Sequence, residues 1–300
     1  MSLVSFVQMK KDFSNPYRQA IIESLKLIDY SFDKTVKRVV IKPNLCYYWD
    51  CTTGQTTDPL FVAELIDLLR ERISDSVDIA VVESDASAMR CKYAFRMLGF
   101  EQLALEKNVR LVNLSEEECD NSDVSCNRKN YGFMVPRIIR DADLKINISK
   151  IKYTVDPITL TCALKNMYGC NPYPKKYKYH ADLGNVIVAL NKAMKFNLCL
   201  IDNNVVSGVQ PRKIGLVMAS RDPVAIDVAS AKIAWLNPDK IGYFRVAERE
   251  GVGSRSFVSK GLPLPYFKAM YPKKTFKRKM MGQAYKMVLK AGLGRRLGLE

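Results

Sequence analysis

Apolar positions along this chain switch repeatedly between an unbroken or alternating rhythm and a helical one. "MSLVSFVQMKK" begins with a short apolar piece and predicts a first strand. "NPYRQAIIESLKLIDYSF" then carries apolar residues at helical spacing and opens with Pro16, which suits the first turn of a helix. "KRVVIKPNL" predicts a short buried strand that runs out into a polar loop. "DPLFVAELIDLLRERI" predicts a helix with Asp58 as its cap and Pro59 at the first helical position. "DIAVVESD" is the next strand, "AMRCKYAFRMLGF" a helix closed by Gly99, and "VRLVNL" a further strand. This βαβα order implies an α/β fold: a mainly parallel sheet with helices on both faces.

The middle of the chain is less regular. "ECDNSDVSCNRKN" is polar and breaks the rhythm, so a loop is expected there. "YGFMVPRIIRDADLKINIS" reads as a strand, a short helix and a strand, and "ITLTCALKNMYG" as a helix ending at Gly169. "HADLGNVIVALNKAM" predicts a helix, and "NLCLIDN" and "KIGLVMAS" predict strands. "DPVAIDVASAKIAWL" predicts a helix with Asp222 at its cap and Pro223 at its first position. "KIGYFRVAEREG" closes the compact part near Gly253. With no internal repeat and no low-complexity linker, residues 1–260 are expected to form a single α/β domain with an elaborated middle segment. Residues 261–300 form a basic extension. Between 275 and 292, Phe276, Met280, Ala284, Met287 and Ala291 recur at helical spacing, with Lys277, Arg278, Lys286 and Lys290 on other faces. Such a basic amphipathic helix either packs on its own domain or lies on an anionic membrane surface.

Composition adds one unusual quantity. Across 300 residues, 48% hydrophobic and 26% charged content is ordinary for a globular chain, but the formal charge is +16. That excess favours negatively charged partners: a small anionic molecule, an anionic membrane surface, or an acidic redox partner met through the tail. No recognised nucleic-acid module accompanies the charge, so nucleic acid is not expected as a partner. No apolar run approaches the roughly 18 residues that a membrane span needs. The first residues place apolar positions before charges, the reverse of a secretory signal, so a cytoplasmic protein is expected, peripheral to a membrane if the tail binds lipid. Eight cysteines at irregular spacing are expected as free thiols. The sequons at Asn113 and Asn147 are then chance occurrences. "GVGS" and "GLGRRLG" lack the strand-to-helix setting of a dinucleotide fingerprint, and the pattern assigns no cofactor.

Polar clusters fall where ligands collect in parallel α/β sheets, beyond the carboxyl ends of strands. Lys42 and Asn44 follow "VVI", Glu83, Ser84 and Asp85 follow "AVV", Lys150 and Lys152 follow "INIS", and Asp202 follows "LCLI". Lys165 and Asn166 belong to "ITLTCALKNMYG", and the lone histidine, His180, ends "KKYKYH". Ammonium groups gathered in one crevice repel unless carboxylates or a bound anion answer them, and crowding lowers a lysine's pKa toward that of a useful base. Cys46, Cys51, Cys162 and Cys170 fall beside the same loops. Four thiolates in one crevice would hold zinc or an iron–sulfur cluster, although their spacing matches no standard ligand pattern.

"VVIKPNL", "TTGQTTDP", "ISKIK", "TCALKNMYG" with "KYH" downstream, "LIDN" and "ASRDPVAID" occur in this order and resemble the motifs of the family called domain of unknown function 362. The resemblance spans roughly residues 37 to 253 and implies functional positions at Lys42, Asn44, Thr56, Thr57, Lys150, Lys152, Lys165, Asn166, His180, Asp202, Asp222 and Asp227. Many members carry an attached ferredoxin module with an iron–sulfur cluster; no such module occurs here. Members also commonly have a histidine shortly after the "KxK" element, where this chain has Thr154. A fainter resemblance, to the nickel-dependent lactate racemases, aligns Thr154, Lys165 and His180 with a His–Lys–His series. One imidazole cannot build the multi-histidine site that nickel favours.

The expectation is an enzyme acting on a small anionic substrate or cofactor, with acid–base or carbonyl chemistry from Lys165, His180, Lys152 and Asp202. Lys42, Asn44, Thr56, Thr57, Lys150 and Asn166 would bind the substrate, and an external electron donor would make redox chemistry available. The alternative is a non-catalytic anion-binding or membrane-peripheral protein that uses the same crevice and the basic tail.

Overall fold

The computed structural model describes residues 1–10, 14–154 and 158–273. Its centre is an eight-stranded sheet. β1 (Ser2–Gln8) leads into α1 (Pro16–Leu27), β2 (Arg38–Lys42), α2 (Pro59–Arg72), β3 (Asp78–Glu83), α3 (Cys91–Met97), α4 (Phe100–Lys107) and β4 (Arg110–Asn113). A hairpin follows, β5 (Cys119–Cys126) and β6 (Lys129–Pro136), and then α5 (Arg137–Arg140) and β7 (Leu144–Ser149). A two-stranded ribbon, β8 (Lys152–Tyr153) and β9 (Leu160–Thr161), precedes α6 (Ala163–Asn166), two 3-10 turns (Met167–Cys170 and Lys176–Asp182) and α7 (Leu183–Met194). β10 (Leu198–Val206), β11 (Arg212–Ser220), α8 (Pro223–Ile233), α9 (Gly242–Arg249), β12 (Phe257–Gly261) and α10 (Leu264–Met270) complete the described chain.

The sheet runs β12-β1-β11-β10-β7-β2-β3-β4. All pairs are parallel except β1 with β11 and β10 with β11. The mainly parallel α/β fold read from the pattern is therefore the observed one. Alternation along the strands divides the apolar residues between two cores. Val39, Ile41, Ile79 and Val81 face the side covered by α1 to α4. Val40, Ala80, Val82, Ile201 and Met218 face the side covered by α7, α8 and α9. With both faces covered, the central strands read as continuous apolar runs. From β2 the chain steps to β3 and β4 on one side, and later returns to β7 on the other. The crevice between the ends of β2 and β7 is thus a switch point of the kind where α/β folds bind ligands.

Two expectations are corrected here. The stretch 119–126, expected as a loop, is a strand paired residue for residue with β6 from Cys119↔Pro136 to Cys126↔Lys129. Asn127 and Arg128 both have positive φ, 49° and 62°, which is how a two-residue hairpin turn matches the twist of its strands. Polar residues occupy both faces of β5, so no apolar alternation announced it. The segment "ITLTCALKNMYG" is not one helix. Its start pairs with Lys152 and Tyr153, and its helix is the single turn Ala163–Asn166, followed by a 3-10 turn. Asp227 Oδ1 and Oδ2 accept hydrogen bonds from the amides of Ala163 and Leu164 at 2.7 and 3.2 Å, which starts that turn.

Beyond residue 253 the described chain stays on the domain. β12 pairs in parallel with β1, and α10 packs on α8. Lys268 and Lys273 lie over the ring of Trp235, at 4.7 and 4.3 Å from its centroid. The amphipathic segment 275–292 lies outside the described residues. Among the described residues, no helix is long and apolar enough to cross a membrane.

Candidate functional site: a lysine cluster over the β2–β7 crevice

The carboxyl ends of β2, β3 and β7 bring buried polar residues to one level of the sheet, and β10 contributes Asp202 from its middle, because the strand expected to end there continues to Val206 in its pairing with β11. Lys42, the last residue of β2, is fully buried, and its ammonium meets Glu83 Oε2 at 2.7 Å and the Pro43 carbonyl at 2.6 Å. Lys150 follows β7; its ammonium donates to the Asp202 carbonyl at 2.7 Å and lies 3.3 Å from Asp202 Oδ2. Asp202 Oδ2 also accepts the Asp58 amide at 2.8 Å, so this carboxylate is well satisfied. Glu83 and Asp202 thus neutralise two of the five clustered lysines.

Between these ion pairs runs a ladder of side-chain amides. Asn44 Nδ2 donates to Asn166 Oδ1 at 2.9 Å, Asn166 Nδ2 donates to Asn147 Oδ1 at 2.8 Å, and Asn147 Nδ2 donates to the Ala163 carbonyl at 2.9 Å. Asn166 Nδ2 also lies 3.2 Å from the Ile148 carbonyl and 3.3 Å from that of Lys42. The ladder ties α6 to the ends of β2 and β7. Thr57 Oγ1 accepts the Asn44 amide at 2.9 Å, which holds the loop after β2. Thr56 Oγ1 is buried with no hydrogen-bond partner among the described residues.

Three lysines have no carboxylate within hydrogen-bonding range among the described residues. Lys152 is 5% exposed and donates to Asn44 Oδ1 at 2.6 Å and to the Gln55 carbonyl at 2.7 Å. Burial pushes its pKa down to about 8. Lys176 donates to Ser84 Oγ at 2.5 Å, and Ser84 in turn donates to the Gly169 carbonyl. Its pKa also falls to about 8, mainly through burial, although Glu83 is near enough to oppose the shift. Lys165 has no hydrogen-bond or ion-pair partner among the described residues. Its surroundings desolvate the ammonium and lower its pKa, while the side chain keeps partial access to solvent. Cys46 stands close to both Lys152 and Lys165.

His180 lies in the 3-10 turn before α7, with its ring 6.4 Å from that of Tyr168. The residue is largely exposed. Partial desolvation, and then the charge of Lys165, lower its pKa, so the neutral imidazole is favoured at pH 7. The histidine therefore marks the rim of the cluster. Asp222 is the cap of α8, accepting the Val224 and Ala225 amides at 2.8 and 3.0 Å. Asp227 is enclosed beneath α6, where burial raises its pKa to about 7.

The four cysteines do not converge. Cys46 lies near Lys152 and Lys165, whereas Cys51, on the same loop, lies near Asp58 and Asp202 and has its pKa pushed up to about 12 by burial. Cys162 Sγ contacts Ser230 Oγ beneath α6, and Cys170 lies near Lys42 and Glu83. Among the described residues, no three His, Cys, Asp or Glu side chains group as metal ligands. The thiols Cys46, Cys51, Cys162 and Cys170, weighed as one ligand set because they fall beside the same loops, are not grouped as metal ligands among the described residues.

Sequence reading missed Asn147, which looked like a chance sequon, and Lys176, which looked like one charge in a run. The signal for Asn147 was a polar residue inside the buried strand "LKINIS". For Lys176 the run "KKYK" offered none. Shallow recesses lined by Asp67, Arg70 and Glu71, and by Asn127, Arg128, Arg249 and Glu250, contain no candidate residue. The candidate residues line the packed crevice instead.

A family model described as "Domain of unknown function (DUF362)" matches residues 39–232. A thylakoid-associated protein of Synechocystis sp. is 32% identical over 126 residues, covering 37% of this chain and 39% of that protein. Among solved structures, the lactate racemase apoprotein from Thermoanaerobacterium thermosaccharolyticum superposes with a TM-score of 0.46 at 10% identity, covering 78% of this chain and 57% of that one. A protein from Thermotoga maritima gives a TM-score of 0.40 at 12% identity, with coverage of 77% and 59%. The chain spans less than two thirds of the length of each of these relatives.

Proposed function

We propose that this chain, which belongs to the domain of unknown function 362 family, is an enzyme that binds a small anionic substrate over the β2–β7 crevice and moves a proton there through Lys165. The observation that carries this reading is the unanswered ammonium of Lys165. A desolvated cation without a partner costs free energy, and an arriving anion offsets that cost. The same desolvation lowers the lysine's pKa, which increases the share of neutral amine available as a base. His180, neutral and at the rim, is the second proton carrier. Lys152 supplies positive charge from a fixed position, because Asn44 and Gln55 hold its ammonium. Lys42 and Lys150, each bound to a carboxylate, hold the crevice walls in place.

Thermal unfolding with pyruvate and with inorganic phosphate as probe anions tests the reading. A ligand at a hundred times its Kd stabilises the native state by about 2.7 kcal/mol. The wild-type melting temperature should rise with at least one of the two probes, and Lys165→Met should abolish the rise while melting normally in its absence. An equal rise in the variant, or none in the wild type at tens of millimolar of either anion, overturns the assignment.

A further inference from the structure

We propose that the edge of the sheet where β10, β12 and α10 end is a docking surface for an anionic lipid bilayer, with exposed apolar side chains entering the headgroup layer and lysines meeting the lipid phosphates.

Strand directions gather the parts of this surface. β10 runs parallel to β7 and β7 to β2, so the end of β10 at Val206 lies on the edge where the crevice opens. β11 runs back from there, and β1 and β12 run forward again, which brings Gly261, the last residue of β12, to the same edge. α8 follows β11 and returns; the Tyr153 hydroxyl, just after β7, donates to the Ala234 carbonyl at its end at 2.6 Å. α10 then lies across the edge. The Tyr271 hydroxyl that follows it donates to the Ile151 carbonyl at 2.7 Å, and Pro272 packs on Gly208 in the turn between β10 and β11.

Four large apolar side chains of this edge face solvent. Val209, in the β10–β11 turn, is 78% exposed, Trp235 42%, Leu262 39% and Tyr266 45%. Trp235 is the most informative. It follows α8 with a φ of 58°, and the Leu236 amide donates to the Ala231 carbonyl at 2.9 Å, so it occupies the left-handed position after a helix where glycine is the ordinary residue. A bulky side chain there is strained. The fold gains a hydrogen bond from its Nε1 to the Tyr271 carbonyl at 3.2 Å, yet much of the ring stays in water. Helix termination explains neither the choice of tryptophan nor its exposure.

Cations surround these side chains. Lys268 and Lys273 stand over the Trp235 ring, and Arg212 and Lys213 are exposed beside the turn that carries Val209. No acidic residue occurs in 207–213 or from 251 to 299, and the second stretch carries twelve lysines and arginines. A surface of one sign with exposed tryptophan and tyrosine suits the interface of an anionic bilayer. There, aromatic rings sit at the headgroup level, and lysine stems lie along apolar surface while their ammoniums reach the phosphates. Nucleic acid would answer the charge but would leave Val209 and Leu262 without a role, and arginine forks bind a phosphate backbone better than lysines do. The β2–β7 crevice opens on the same edge, so docking holds it beside the headgroup layer.

The full chain is tested with vesicles of phosphatidylcholine alone and of phosphatidylcholine and phosphatidylglycerol in about equal parts. It should sediment with the anionic vesicles and not with the neutral ones. Trp49→Phe leaves Trp235 as the one tryptophan of the chain. Its emission should shift to the blue on anionic vesicles and be quenched by brominated lipid chains. Lys213→Gln should weaken vesicle binding about five-fold, the effect of one charge near an anionic surface. Val209→Asp should weaken it by about ten-fold, because it exchanges an apolar contact for a charge of the lipids' own sign. Both side chains are exposed, so both variants should melt with the wild type. Sedimentation that is absent or ignores lipid charge would overturn the proposal. So would an unshifted Trp235 on vesicle-bound protein, or unchanged binding in Val209→Asp; either would assign the binding to another part of the chain. Binding to duplex DNA without sedimentation on vesicles would assign the surface to nucleic acid instead. None of these readouts involves Lys165 or a probe anion, so the docking surface and the proposed function stand or fall separately.

Discussion

Lys150 and Lys152 lie two residues apart and have opposite surroundings. Lys150 points toward β10 and is neutralised by Asp202, as Lys42 is by Glu83 on the other side of the crevice. Lys152 points toward the loop after β2 and donates to an amide oxygen and a carbonyl, close to Lys165, which has no partner among the described residues. Between them the chain turns at Ile151, whose amide donates to Asn203 Oδ1 at 3.1 Å. The same residue type therefore serves two purposes within one site. The outer lysines are walls, stabilised by a carboxylate and committed to it. The inner lysines have no carboxylate partner among the described residues.

The sharpest way to break this comparison is to make an outer lysine resemble an inner one. Asp202→Ala leaves Lys150 buried, cationic and unpaired, and should cost about 3–5 kcal/mol in urea unfolding. A loss below about 1 kcal/mol would mean that Lys150 already finds an alternative partner, and the division into outer and inner lysines would fail. A smaller loss is expected from Gly169→Ala. A Cβ there would come within 2.6 Å of Glu83 Oε1 and 2.9 Å of Lys42 Nζ, so it must displace that ion pair. Overpacking of this kind costs about 1–3 kcal/mol, and an unperturbed melting temperature would show that the pair shifts freely.

The remaining effect concerns pH. The Lys152 pKa falls from 10.5 in the unfolded chain to about 8 in the folded one. Above pH 8 the folded state releases this proton while the unfolded state keeps it, so the lysine's contribution to stability rises with pH until about 10.5. Lys152→Met removes that term. The stability of the wild type relative to the variant should therefore increase between pH 8 and pH 10; parallel profiles would place Lys152 among the ordinary lysines.

How much of this was legible depended on whether the signal was local. Strand ends were readable where apolar runs stop at Lys42, Glu83 and Ser149, but not at Asp202, beyond which β10 runs on to Val206; helix starts were readable because Asp58 and Asp222 precede prolines. Asp58 and Asp222 do cap their helices. The hairpin 119–136 was not readable, because its stability comes from cross-strand pairing and from packing of Cys126, Phe133 and Val135 rather than from an alternating pattern in β5. α4 was missed as well; Gly99, read as a helix end, has φ 81° and also precedes the first turn of α4. Lys42, Asn44, Lys150, Lys152, Lys165, Asn166 and Asp202 were expected together, and they are found together at one level of the sheet. Their pairing was not foreseeable, since Lys42 to Glu83 spans 41 residues and Lys150 to Asp202 spans 52.

The order of elements, the two covered faces and the level at which polar residues gather were all determined by the sequence, because hydrophobic periodicity, capping and chain connectivity act over short distances. Which ammonium meets a carboxylate, which meets an amide and which meets nothing was decided by tertiary structure. Each of those contacts is set by strands brought side by side from distant parts of the chain, and a shift of one position along a strand turns its side chain to the other face.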